Sequence, residues 1–182
     1  PINEHEFIAP KPAHKIFLAE NTLQRLRNFL KRGITNGVLS FTDMCRMMNA
    51  SPGAKITKIA LEDPTEKEME LMSLDKDEKI LVLERIRYAD GKPVQLELNK
   101  FPESFSFLFS ENLNDSSLYE YILDHSQKTL DIVFATSKEA KALGISSGYP
   151  LLRIESVIHD VDNTITNLCR QLCIGDKFKF II

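Results

Sequence analysis

Several things are scarce in this sequence, and each scarcity excludes something. No apolar run approaches the about 20 residues that a membrane-spanning helix needs. The start, Pro1-Ile2-Asn3-Glu4-His5, has neither the basic n-region nor the apolar h-region of a secretory signal. Basic residues are in deficit: 23 Lys and Arg against 26 Asp and Glu leave a net charge of -3. A chain that grips nucleic acid on its own normally carries a basic face, so this balance argues against that role. Three cysteines, Cys45, Cys169 and Cys173, form no disulfide framework and suit a reducing, cytoplasmic setting. Cys169 and Cys173 fall on one face of a strand about 13 Å apart, at ~3.3 Å per residue, too far to bridge. No further ligands at zinc spacing accompany them.

The motifs of common enzymes are missing too. There is no Gly-rich phosphate loop, no G-x-S-x-G elbow and no H-E-x-x-H helix. His5 and His14 lie in an irregular start, His125 follows a helix end, and His159 sits beside Asp160. Members of a Ser-His-Asp triad need not be close in sequence, but nothing singles one out and structural histidines are the preferred reading. No internal repeat or low-complexity tract is present. A first residue of Pro rather than Met suggests a fragment or a processed chain.

What is present is an ordinary apolar content, 43% of 182 residues, enough for one core plus an extension. Asn21 caps an amphipathic helix, Thr22 to Arg32, which Gly33 stops. Its basic residues read as a solvated face, since no second helix at helix-turn-helix spacing follows. Ser40 or Thr42 caps a short helix over Met44 to Asn49. Capping explains these hydroxyls, although a helix start also suits an anion. A strand over 54–61 and a helix over Glu66 to Leu74 follow.

Next comes a hairpin, Leu81 to Asn99, that turns at Asp90-Gly91. Arg85 and Arg87 share one of its faces with Leu81 and Leu83, so they are expected to be half-buried. Buried guanidiniums need an anionic partner. With a three-residue loop, Arg85 faces Glu97 and Arg87 faces Gln95. One reading is an internal salt bridge holding the hairpin. The other is a surplus positive charge that grips a phosphate or carboxylate. The remaining pattern predicts a short helical turn at 103–109, a helix near 115–124, a strand over Thr129 to Thr136, and a helix over Lys138 to Leu143. Long strands over Leu151 to Asp160 and Thr164 to Ile174 follow, then a terminal strand over Phe178 to Ile182. Hairpins dominate, which predicts an α+β fold with a mainly antiparallel sheet and helices packed on it.

Four segments in order carry a resemblance: Leu83 to Glu97, Ser116-Ser-Leu-Tyr119, Pro150 to Glu155, and Gly175 to Phe180. Over about residues 37 to 182 they resemble the effector-binding (UTRA) domain of GntR/HutC-type bacterial transcription regulators. Residues 1–36 resemble no recognisable domain. The resemblance implies a chorismate-lyase-like fold, a homodimer, and a pocket for a small metabolite, expected to be an anion such as a sugar phosphate; no cofactor, metal or membrane partner is expected. It also implies operator DNA binding through a winged-helix domain that this chain lacks. In family members that bind sugar phosphates, a Ser/Thr helix start and an Arg-x-Arg pair hold the phosphate. By position these are Ser40, Phe41 and Thr42, and Arg85 and Arg87. A return-strand Glu maps onto Glu97, and a Ser-x-Tyr pair onto Ser117 and Tyr119. Two positions depart from the pattern: Asn167 stands where relatives often carry Glu, and Cys173 where they carry Tyr. The anion-holding half of the site therefore looks kept and the other half altered. Two alternatives share the residues: a chorismate-lyase-like enzyme acting on an aromatic carboxylate, and a purely structural dimerisation module.

Overall fold

The computed structural model describes residues 40–114, 118, 125–160 and 162–175. Asp90 and Gly91 have φ of 50° and 72°, the paired left-handed conformations that a two-residue type I′ turn demands. Gly91 adopts this at no steric cost, and the Asp90 carboxylate accepts a hydrogen bond from the Ser51 N–H at 2.8 Å. The turn joins β2 (Ile80–Ala89) to β3 (Lys92–Pro102). Left alone, a two-residue loop would set Arg87 opposite Val94 and Arg85 opposite Leu96. The register instead shifts between Arg87 and Tyr88, so that Arg87 pairs with Gln95 and Arg85 with Glu97. One extra residue on β3 does this, and a one-residue slip moves every side chain beyond it to the other face. The expected pairing of both arginines is observed. Its cause is a tight turn plus a bulge, where a three-residue loop was expected.

β1 (Pro52–Glu62) pairs with the other side of β2, and β6 (Ile165–Ile174) with the other side of β3. β5 (Pro150–His159) and β4 (His125–Phe134) complete an antiparallel sheet of order β1-β2-β3-β6-β5-β4. The last strand of this group begins at His125, earlier than the Thr129 that alternation predicted. The mainly antiparallel α+β fold expected from the sequence is the one found.

Short helices cover both faces. α1 (Phe41–Met47) is capped by Ser40 and so starts three residues before the expected Met44. α2 (Glu66–Met72) begins with a capping box of Thr65 and Glu68. α3 (Ser137–Leu143) begins with a second box, Thr136 and Glu139, and ends at Gly144. A 3₁₀ helix spans Glu103–Ser110.

On the face bearing the arginines, Leu81, Leu83, Phe101, Leu108, Leu113 and Ile158 form one apolar cluster. Phe41, Cys45, Val94, Ile154 and Cys173 form another, under α1. The opposite face packs against α2 through Met72, Ile80 and Val82, and against α3 through Ala140, Leu143, Leu151 and Leu172. No helix among the described residues is long and apolar enough to cross a membrane. The expected helices at 22–32 and 115–124 and the terminal strand at 178–182 lie outside the described residues, apart from Leu118.

Candidate functional site

Between the two clusters of the first face runs a band of polar side chains, placed by register. Arg87, Gln95 and Cys173 occupy one row across β2, β3 and β6; Arg85, Glu97 and Gln171 occupy the next. Leu83, Asn99 and Cys169 occupy the third. Arg85 is 2% exposed, Arg87 3% and Glu97 6%.

Every nitrogen of Arg85 is engaged. Its Nε and Nη2 donate to Glu97 Oε2 at 3.1 and 2.8 Å, and its Nη1 donates to the Leu113 carbonyl at 2.9 Å. It therefore orients Glu97 and ties the 113 loop to the sheet. Arg87 lies 3.8 Å from the same Glu97 oxygen. Its Nη2 donates to Thr42 Oγ1 at 3.3 Å, and its guanidinium stacks 4.5 Å above the Phe41 ring. Among the described residues, two guanidiniums share one carboxylate.

Ser40 and Thr42 are also buried. The Ser40 hydroxyl donates to the Asp43 carboxylate at 2.6 Å and accepts from the Asp43 N–H at 3.1 Å, so it closes the cap of α1. Thr42 faces Arg87 directly. The first turn of α1 thus delivers Phe41 and Thr42 to the arginine cluster.

Cys173 sits beside Gln95, its thiol 3.4 Å from Gln95 Oε1. Burial, then the nearby Glu97 charge, pushes this thiol up to about 12. Burial likewise raises Cys45 to about 11, against the pull of Arg87, and holds Cys169 well above the usual thiol range. Nucleophilic use needs the thiolate, so these three buried, free cysteines act as packing and weak donors.

Asn167 lies elsewhere. Its Nδ2 donates to the Lys100 carbonyl at 3.2 Å, where the β3–β6 ladder ends. About 13 Å of strand separates it from Gln171, the residue opposite Glu97, at four residues of ~3.3 Å. The structure thus gathers Ser40, Phe41, Thr42, Arg85, Arg87, Glu97 and Cys173 around one cluster and sets Asn167 at the far end of the band. Ser117 and Tyr119 lie outside the described residues. Gln95 and Asn99 join the band, and sequence reasoning had not picked them out as site residues. Their signal was their parity with Glu97 on β3. Among the described residues no three His, Cys, Asp or Glu side chains are grouped to hold a metal.

A six-stranded antiparallel sheet carrying a buried Arg/Arg/Glu cluster under a capped helix defines an α+β domain with a polar site on one face. Residues 47–179 match the UTRA domain family, and the chain belongs to that family, the effector-binding domain of GntR/HutC-type transcription regulators. It is 25% identical to the HTH-type transcriptional repressor NagR of Bacillus subtilis (strain 168), over 80% of this chain and 63% of that protein. It is 27% identical to the HTH-type transcriptional repressor PhnF of Mycolicibacterium smegmatis, over 79% of this chain and 62% of that protein. The chain therefore spans less than two thirds of the length of these curated relatives. Among solved structures it resembles the effector domain of PhnF from Mycobacterium smegmatis, with a TM-score of 0.72 and 24% identity, over 78% of this chain and 92% of that one. The C-terminal domain of the histidine utilization repressor from Pseudomonas syringae matches with a TM-score of 0.66 at 14% identity, covering 72% and 97% of the two chains. These structural likenesses speak for the fold alone. The matched family span starts after Ser40, Phe41 and Thr42.

Proposed function

We propose that this domain senses a small anionic metabolite, a sugar phosphate being the leading candidate, and carries out no chemistry on it. The observation that carries the reading is the convergence of two buried guanidiniums, Arg85 and Arg87, on the Glu97 carboxylate, with Thr42 and the start of α1 against Arg87. Arg85 is spent on holding Glu97 in place. Arg87, with Thr42 beside it and the start of α1 behind, is the group that meets the anion. Ser40 supports that helix start. Glu97 receives hydroxyls of the ligand, and Ser117, Tyr119, Asn167 and Cys173 stand as further contacts.

In this reading residues 37–182 form the sensor, and the chain works as a cytoplasmic homodimer coupled to a separate winged-helix domain. Its relatives NagR and PhnF are transcriptional repressors, which supports that role. Ligand binding shifts the regulator between DNA-competent and DNA-incompetent arrangements through different affinities for the two. The enzyme alternative predicts turnover of chorismate by the isolated chain, and the regulator predicts none.

The test is a thermal-shift screen of phosphorylated sugars and carboxylates, followed by calorimetry of the best stabiliser. Arg87→Ala should weaken that ligand by about 2 kcal/mol, a charge-assisted hydrogen-bond magnitude. Unchanged affinity in the variant sinks the assignment.

A further inference from the structure

Three buried amides on the first face have capacity that the protein does not use. Gln95 is 0% exposed, Asn99 2% and Asn167 0%. Gln95 Oε1 accepts from the Cys173 thiol, but its Nε2 has no partner. Asn99 Nδ2 has none either, and Asn167 uses its Nδ2 on Lys100 while its Oδ1 is unpaired. Nearly every buried polar group in a folded protein is paired, because an unpaired one forfeits its water for nothing. Leucine or methionine would fill the same volumes without that penalty. Three such groups in one band, Gln95 and Asn99 on either side of Glu97 along β3 and Asn167 at the band's far end, need a common explanation.

We infer that Gln95 and Asn99 are specificity-determining residues that read the hydroxyl groups of a phosphorylated polyhydroxy compound of hexose size. The inference rests on the anion reading of Arg87. Gln95 lies directly across from Arg87, and Glu97 and Asn99 follow at successive inward positions of β3. Inward positions repeat at about 6.6 Å. A ligand anchored by its phosphate at Arg87 meets Gln95 first, the Glu97 carboxylate next and Asn99 last. Gln95 Nε2 and Asn99 Nδ2 donate to its oxygens, and Asn167 Oδ1 accepts from a hydroxyl. A band of donors, a carboxylate and an acceptor suits a compound that is polar along its whole length. It does not suit a bare phosphate, which ends at Arg87, or an aromatic carboxylate, whose ring would leave the amides unpaired.

Calorimetry with a panel of hexose 6-phosphates beside inorganic phosphate tests this on the wild-type chain and on Gln95→Met and Asn99→Leu. At least one hexose phosphate should bind about tenfold or more tighter than inorganic phosphate, and each substitution should collapse that ratio. Thermal unfolding of the ligand-free variants should show melting points equal to or above wild type, since each removes an unpaired buried N–H group, at the cost in Gln95→Met of one weak bond from the Cys173 thiol. A ratio near one in the wild type, or a ratio that survives both substitutions, overturns the inference and leaves the anion reading intact. Binding of no phosphate compound overturns both. A lowered melting point in both variants shows the amides to be structural and overturns the inference alone.

Discussion

Arg85 and Arg170 each lie beside a glutamate, on opposite faces of one sheet. Arg85 and Glu97 have side chains 1% and 5% exposed, and Arg87 shares the same carboxylate. Arg170 and Glu155 are 52% and 40% exposed. Arg153 and Asp131 repeat the exposed arrangement on β5 and β4. The chemistry is alike and the environments are not. On the second face water screens each pair, and an exposed pair is worth at most about 1 kcal/mol. On the first face desolvation raises the stakes of every contact, and one carboxylate must serve two cations. A protein that needed only a stable hairpin would have managed with the exposed kind. The buried, shared carboxylate is the feature from which the proposed anion site is argued.

The largest effect should follow from breaking the buried pair. Arg85→Ala leaves Glu97 as a buried carboxylate with only the distant Arg87, and strands the Leu113 carbonyl. A loss of about 3–5 kcal/mol in urea unfolding is expected. Arg85→Met combined with Glu97→Leu removes both charges and should recover most of that loss, because apolar side chains of similar volume replace buried ion pairs at little cost. If the double variant is as unstable as the single one, the pair is a stabilising element and not a device kept for binding.

An intermediate case lies on the second face. Lys100 donates to Glu68, whose side chain is 14% exposed, and so ties α2 to β3. Burial alone would raise the Glu68 pKa, but the hydrogen bonds from Lys100 and from the Thr65 cap outweigh it and hold it below the ordinary 4.5. A carboxylate whose folded pKa is depressed contributes stability that is fully present above the unfolded value and lost as pH falls through the folded one. Acid titration of the unfolding free energy should therefore show a decline below about pH 4.5. Glu68→Gln should flatten that part of the profile and cost about 1 kcal/mol at neutral pH. An unaltered profile in the variant would place Lys100–Glu68 with the exposed pairs.

The same two faces show what the sequence makes legible. The Asp90-Gly91 turn, the parity of Arg85 and Arg87, and the Ser40 cap are local signals and can be read directly. The bulge on β3 is not, because nothing in Pro93-Val94-Gln95 announces the extra residue; the expected register came out right only because a three-residue loop has the same effect. The β3–β6 pairing was beyond reach as well. Gln95 meets Cys173 across 78 positions of sequence, and strands that distant pair by topology, which alternation within each strand does not encode. That pairing is what buries Gln95, Asn99 and Asn167, so their idle amide groups appear only once the sheet is assembled. Glu97 attracted notice as a charge; its neutral neighbours of the same parity did not.

The smallest effect should come from Arg170→Ala. Its Nε donates to Glu155 at 2.8 Å, so by geometry alone this bond is as good as the Arg85 contact at the same distance. Burial separates them. The exposed pair loses side-chain entropy on forming, and at about 0.15 M salt the Debye length of about 8 Å screens most of what remains. The substitution should change unfolding free energy by less than about 1 kcal/mol, and raising ionic strength should shrink the difference further. The Arg85 difference should change less over the same salt series, since a pair whose side chains are 1% and 5% exposed is screened far less than an exposed one. Measured side by side, the two salt slopes separate geometry from environment. If Arg170→Ala cost as much as Arg85→Ala, the contrast between the faces would fail, and with it the argument that burial marks the arginine cluster as a binding site.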